Sequence, residues 1–139
     1  MTREQTGLRL AAAITMGFGL TTAVAALPAA AGFTVWVVDL LIWPLNGAES
    51  GADPVTRLMF AIGGGVLTAW GLMIWTLAGS PMDRDPALMR SIIRRSVLAW
   101  FVVDSTASLL AEAPFNLVGN LLFVALLLVP TLLDRRVVA

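Results

Sequence analysis

The sequence contains no cysteine, no histidine, no tyrosine and no lysine. Each absence removes chemistry. Without cysteine there is no disulfide and no thiolate-held iron–sulfur cluster. With histidine missing too, a zinc site of the usual kind and a haem held through His, Cys or Tyr are excluded. A Ser–His–Asp or Cys–His nucleophile cannot be assembled, and neither can a lysine Schiff base. Charge is scarce: 13% of residues carry it, against about 25% in a soluble domain. Net charge is zero, so nothing attracts nucleic acid. The chain is expected to be non-enzymatic, with no cofactor and no metal.

Apolar sequence fills the space instead. Hydrophobic residues make up 58% of the 139. A transmembrane helix needs about 20 predominantly apolar residues. Leu10–Ala31, Leu58–Met82 and Ala113–Leu133 are uncharged and reach that length. Ile92–Ala111 reaches it too, but holds Arg94, Arg95 and Asp104. The expected fold is all-α, a four-helix transmembrane bundle with a short interfacial segment after the first span. The spans fall at roughly residues 8–28, 56–79, 91–112 and 115–133, and the interfacial segment at 32–43. Residues 1–139 then form a single integral membrane domain, with no room for a soluble one. A barrel is disfavoured, because its strands would be short and alternate apolar with polar.

Basic residues concentrate in cytoplasmic loops. Arg3 and Arg9 precede span one. Arg84, Arg90, Arg94 and Arg95 lie between spans two and three, and Arg135 and Arg136 follow span four. Only Arg57 falls on the other side. Both termini are therefore expected in the cytoplasm. Arginine at every basic position, with abundant alanine, suggests a GC-rich bacterial genome and hence the inner membrane. A rival reading takes Arg3, Arg9, the apolar run and Ala29-Ala30-Ala31 as a signal peptide with its cleavage site. The run is longer than the usual apolar region of such a peptide, which favours retention as span one.

Punctuation along the chain agrees with helices. Asp53-Pro54 and Asp85-Pro86 each place an N-cap before a proline in the first helical position. Gly17, Gly19 and Ala23 in span one, and Gly63-Gly64-Gly65 and Gly71 in span two, form small-residue faces that let helices approach closely in lipid. A face around Gly64 could serve a partner. In residues 32–43, helical spacing would put Trp36, Asp39 and Trp43 on one face, with tryptophan at the membrane–water interface; a short extended segment is the alternative. Arg90, Arg94 and Arg95 read mainly as a topology signal, and secondarily as a patch for anionic lipid.

The polar residues inside the spans are few. Trp100, Asp104, Ser108 and Glu112 recur every four residues and form one stripe; Asn116 and Asn120 form another. A tight turn between them makes spans three and four an antiparallel hairpin, with Asn120 at about the depth of Ser108. Placing Asp mid-helix costs about 2.5–3.5 kcal/mol. An intramembrane polar cluster of Asp104, Ser108, Asn120, Thr68 and Thr22 is expected around it. Intramembrane carboxylates are functional candidates by default, so Asp104 marks either a proton or cation site or a hydrogen-bonded tie between helices. Asp39, Arg57 and Glu112 form a second expected group, of charges at the outer surface, where Arg57 could pair with either carboxylate. Asp104 and Glu112 stand about 12 Å apart along the helix. That is wider than the roughly 5–9.5 Å of a glycosidase carboxylate pair.

The segments GLRL, RLMFAIGGGVLTAWG and WFVVDSTAS, with the four-span layout, resemble small bacterial inner-membrane proteins of the DoxX-like type. Many members of that group have no assigned activity, and some are linked to quinone-oxidising or redox assemblies. The resemblance implies an accessory membrane subunit and carries over no site residue. The expected function is thus a non-enzymatic accessory or assembly subunit of a larger inner-membrane complex. Its partners would be the lipid bilayer and another membrane protein or further copies of itself. The alternatives are a small proton- or cation-coupled carrier using Asp104, and a lipid or quinone binder contacting its ligand through Trp70, Trp100 and Asn120.

Overall fold

The computed structural model describes residues 1–133, and every regular element among them is helical. Arg135 and Arg136, used above for topology, lie outside the described residues. Helix α1 (Arg3–Val24) opens on a capping box: Thr2 Oγ1 accepts from Gln5 N at 3.2 Å and Gln5 Oε1 from Thr2 N at 2.8 Å. A 3₁₀ turn at Pro28–Ala30 leads into α2 (Gly32–Ile42). The segment that could have been extended is therefore helical, and Trp43 leaves the helix at φ 51° ahead of a cis Trp43–Pro44 bond. Helices α3 (Pro54–Leu77) and α5 (Pro86–Leu110) start where the sequence placed their caps. Asp53 accepts from Thr56 N and Asp85 from Leu88 N, both at 2.9 Å. Hydrogen bonds with Thr56, side chain first and then backbone, hold the Asp53 carboxyl below its ordinary value. Between them, α4 (Ser80–Arg84) is a one-turn connector. Helix α6 (Asn116–Leu128) runs on into a 3₁₀ turn at Val129–Leu132.

Two stretches among the described residues, Arg3–Val24 and the α3–α4 run Pro54–Arg84, are long and apolar enough to cross a membrane. The other two expected spans do not reach that mark. Every 18-residue window of α5 holds Arg94 and Arg95 plus Arg90 or Asp104. The Asn116–Leu132 stretch is apolar but short.

Facing pairs set the helix directions. Gly19 meets Gly64 and Thr68, and Ala12 and Met16 meet Gly71, so α1 and α3 are antiparallel. These glycines are required by closeness: a Cβ on Gly19 would stand 2.6 Å from Thr68 N, and one on Gly71 2.9 Å from Ala12 O. Small residues thus let the two backbones touch. The glycine face offered above to a partner is partly used inside the chain. Gly64 packs on α1, whereas Gly17, Gly63 and Gly65 meet nothing within 4 Å. Helices α5 and α6 form the second antiparallel pair, as the tight turn required.

The turn itself ends α5 in a Schellman arrangement. Ala113 N donates to Ser108 O at 2.9 Å and Glu112 N to Leu109 O at 3.2 Å. Glu112 sits between them with φ 58°, in a left-handed conformation that costs a side chain about 1–2 kcal/mol. Glu112→Gly is expected to raise stability by about 1 kcal/mol, read as a higher midpoint of thermal unfolding in detergent. A lower midpoint would show that the Glu112 side chain contributes more than its backbone costs.

The packed core lies toward the arginine-rich end. Leu8, Ala12, Ile74, Ile93, Val97 and Leu127 are fully buried there. Polar ties close that end around the core. Arg90 pairs with the buried Glu4, and Gln5 Nε2 donates to Asp83 Oδ1 at 2.7 Å. Arg94 donates to the hydroxyl and carbonyl oxygens of Thr131 at 3.0 and 2.9 Å. Arg9 lies 5.3 Å above the Trp75 ring. Of the proposed lipid-facing patch, Arg90 and Arg94 therefore turn into the protein, and Arg95 stays exposed.

Candidate functional site

Away from the core the α1–α3 pair and the α5–α6 pair separate, and a cavity of about 700 Å³ opens between them. Its floor is aromatic. Phe18 of α1, Trp70 of α3, Trp100 of α5 and Phe123 of α6 meet with ring centroids 5.4–6.0 Å apart. Helical spacing explains the layer: each ring lies about one turn along its helix from a core residue, Trp100 from Val97 and Trp70 from Ile74. The wall on α3 is apolar and low, with Gly63, Val66 and Leu67. Val37 and Leu41 of α2 add to it. The opposite wall carries the polar group.

That group is one hydrogen-bonded unit. Asp104 Oδ2 accepts from Asn116 Nδ2 at 3.0 Å and from Asn120 Nδ2 at 2.7 Å. Asn116 also donates to Ser108 Oγ at 2.7 Å, and Asn120 to Ser105 Oγ at 3.0 Å. Ser108 Oγ donates to Asp104 O at 2.7 Å. Asn120 and Ser105 are buried and Asp104, Ser108 and Asn116 half-buried. Asp104, Asn116 and Asn120 line the cavity, and among the described residues Asp104 is its only charged lining residue. Among the described residues, no group of three or more acidic side chains could hold a metal ion.

Three members of the expected intramembrane cluster come together, Asp104, Ser108 and Asn120. Thr22 and Thr68 do not. Thr22 Oγ1 donates to Phe18 O at 2.9 Å and Thr68 Oγ1 to Gly64 O at 2.8 Å. A hydroxyl on an apolar helix finds its own carbonyl four residues back before it finds a neighbour. Asn120 also sits one turn deeper than expected: it reaches Asp104 and Ser105, and Asn116 is the residue level with Ser108. Asn116 was legible from its i, i+4 spacing to Asn120. Ser105 lies off the Asp104–Ser108 stripe, and only the approach of α6 brings it in.

The expected outer charge group is not a group. Asp39 is buried and accepts from the backbone N–H groups of Asn46 at 3.4 Å and Gly47 at 2.9 Å. Trp36, one turn back on the same helix, is 51% exposed. Trp43, expected on the same face, stacks on Phe115 at 5.0 Å. Arg57 Nε donates to Ala26 O at 2.7 Å, where a cation meets the carbonyl end of α1. Glu112 is exposed at the α5–α6 turn. The three form no ion pair with one another.

No family model matches the chain, and no curated protein and no solved structure does so either.

Proposed function

We propose that this chain is a non-enzymatic, multi-pass membrane protein that holds a small amphipathic molecule between its helices. The observation that carries the reading is the cavity. Ligand sites are concave, mostly apolar, about 300–1,000 Å³ in volume, and fitted with a few convergent polar groups. Here a volume of about 700 Å³ combines an aromatic floor, an apolar wall and one polar unit built on Asp104. Trp70, Trp100 and Asn120, the contacts named from the sequence for a bound lipid or quinone, all line it.

The membrane part of the reading is a four-helix transmembrane bundle in a bacterial inner membrane, both termini cytoplasmic. Large apolar side chains exposed on every long helix support it. Leu10, Val66, Val103 and Leu122 are each more than 60% exposed, and a soluble monomer rarely shows apolar patches of that extent. Inward pairing of Arg90 and Arg94 eases the entry of α5 into lipid, and α6 can span with its 3₁₀ extension and local thinning of the bilayer. Among the described residues, every arginine but Arg57 lies at one end, as a cytoplasmic face requires.

Gly63→Leu tests the cavity. Gly63 lines it and has no neighbour within 4 Å, so a leucine there fills space without striking backbone. Purification of the parent protein in mild detergent is expected to carry along a small amphipathic molecule, visible by mass spectrometry. Gly63→Leu is expected to lose it while folding normally. A parent protein free of any such molecule, with a stoichiometric membrane-protein partner in its place, would favour the second reading, an assembly subunit. The open small-residue positions Gly17 and Gly65 leave room for a partner's helix.

A further inference from the structure

The polar wall also states which kind of head group it accepts. An amide nitrogen has two hydrogens to give. Asn116 directs its pair to Asp104 Oδ2 and Ser108 Oγ, and Asn120 directs its pair to Asp104 Oδ2 and Ser105 Oγ. A carboxylate only accepts, so the amide edges facing it are the NH₂ edges and the carbonyl edges turn away. The Ser108 hydroxyl is committed to Asp104 O, and the Ser96 hydroxyl, also on the cavity wall, to Ile93 O. What this wall has left is acceptors: Asp104 Oδ1 and the side-chain oxygens of Asn116 and Asn120. No hydrogen bond reaches these three oxygens, and none is sealed from the open space. Among the described residues, no lining side chain apart from the indole N–H groups of Trp70 and Trp100 has a free donor, and no arginine lines the cavity.

We infer that the cavity takes a lipophilic amine in its protonated form. This rests on the cavity reading above. The ammonium N–H groups donate to Asp104 Oδ1 and to the asparagine carbonyl oxygens. The apolar body lies against Val66, Leu67 and Leu122, and the indole faces of Trp70 and Trp100 favour a cation nearby. A carboxylate, a phosphate or an oxidised quinone brings acceptors to a wall of acceptors, and such juxtaposition disfavours binding. Phosphatidylethanolamine also carries an ammonium, but ties it to a phosphate, so the free amine is the better match.

The test uses the full chain in nanodiscs of phosphatidylcholine, whose head group has no N–H. Dodecylamine, dodecanol, dodecanoate and phosphatidylethanolamine are offered separately, and bound ligand is read by native mass spectrometry. Dodecylamine is expected to bind about tenfold or more tighter than dodecanoate. Asp104→Asn keeps an oxygen for the two asparagine amides and turns an NH₂ edge to the cavity. It is expected to lose that preference without losing its thermal midpoint. Equal binding of all three dodecyl compounds, blocked by Gly63→Leu, would overturn the amine assignment and leave the cavity reading standing. Selective retention of phosphatidylethanolamine would replace the free amine with a lipid. Binding of none of the four would overturn the amine and the cavity together.

Discussion

Gly64→Leu is expected to break the α1–α3 contact, while Gly63→Leu, one residue away, leaves it whole. A Cβ on Gly64 would lie 2.2 Å from Ala23 N and 2.5 Å from Gly19 O. Both obstacles are backbone of an α-helix, which cannot give way as a flexible side chain can. Overpacking a core costs about 1–3 kcal/mol when side chains can shift, so a backbone collision should reach or exceed about 3 kcal/mol. Even Gly64→Ala should be severe, since the first carbon already collides. Gly63 faces open space, and replacing glycine inside a helix removes a penalty of about 0.8–1.0 kcal/mol. Thermal midpoints of the three variants in one detergent check the contrast. A Gly64→Leu protein as stable as its parent would mean that α1 and α3 do not approach through these glycines. The result also bears on any search for a partner, because loss of association in Gly64→Leu would report a broken fold. Gly65→Leu is the fair probe of an external helix contact.

Much of the fold is legible in the sequence because its signals are local. Asp53-Pro54 and Asp85-Pro86 mark helix starts by a side chain reaching three residues ahead, and both caps form. Gly19, Gly64 and Gly71 belong to the small-residue faces that announce close packing, although the same signal takes in Gly17, Gly63 and Gly65, which meet nothing within 4 Å. The Asp104–Ser108 stripe follows from periodicity alone. What was not legible depends on the third dimension. Whether Thr22 and Thr68 look outward or back along their own helices is decided by carbonyls that every helix offers, so spacing could not tell. The depth of Asn120 turned on how many residues the α5–α6 turn consumes, and a shift of one turn exchanges Asn116 for Asn120 as the neighbour of Ser108. Arg57, the exception to the charge bias, finds its reason only when the end of α1 is in view. The separation of the two helix pairs, which creates the cavity, leaves no trace in a sequence apolar on nearly every face.

Glu4 is the clearest case of a residue hidden from sequence reading, and it carries the second large effect. It stands in the first turn of α1, where a carboxylate also favours the positive helix end. Its side chain is 2% exposed, and Arg90, 27% exposed, binds both its oxygens, Nε to Oε1 at 2.7 Å. Removing one partner of a buried ion pair costs about 3–5 kcal/mol, because the other charge loses its close counter-charge while staying out of water. Arg90→Leu is therefore expected to lower stability by about 3 kcal/mol, the low end of that range, since part of the arginine reaches solvent. The double variant Glu4→Leu/Arg90→Leu should recover most of the loss. It removes both charges and extends the apolar core around Leu8 and Met89. Denaturant or thermal unfolding of the parent, both single variants and the double variant yields the coupling directly. Hydrogen exchange at the first turns of α1 should rise in Arg90→Leu and return toward the parent level in the double variant. If Arg90→Leu were as stable as the parent, the pair would contribute little, and α1 would owe its position to the glycine face, the core around Leu8 and the Gln5–Asp83 tie.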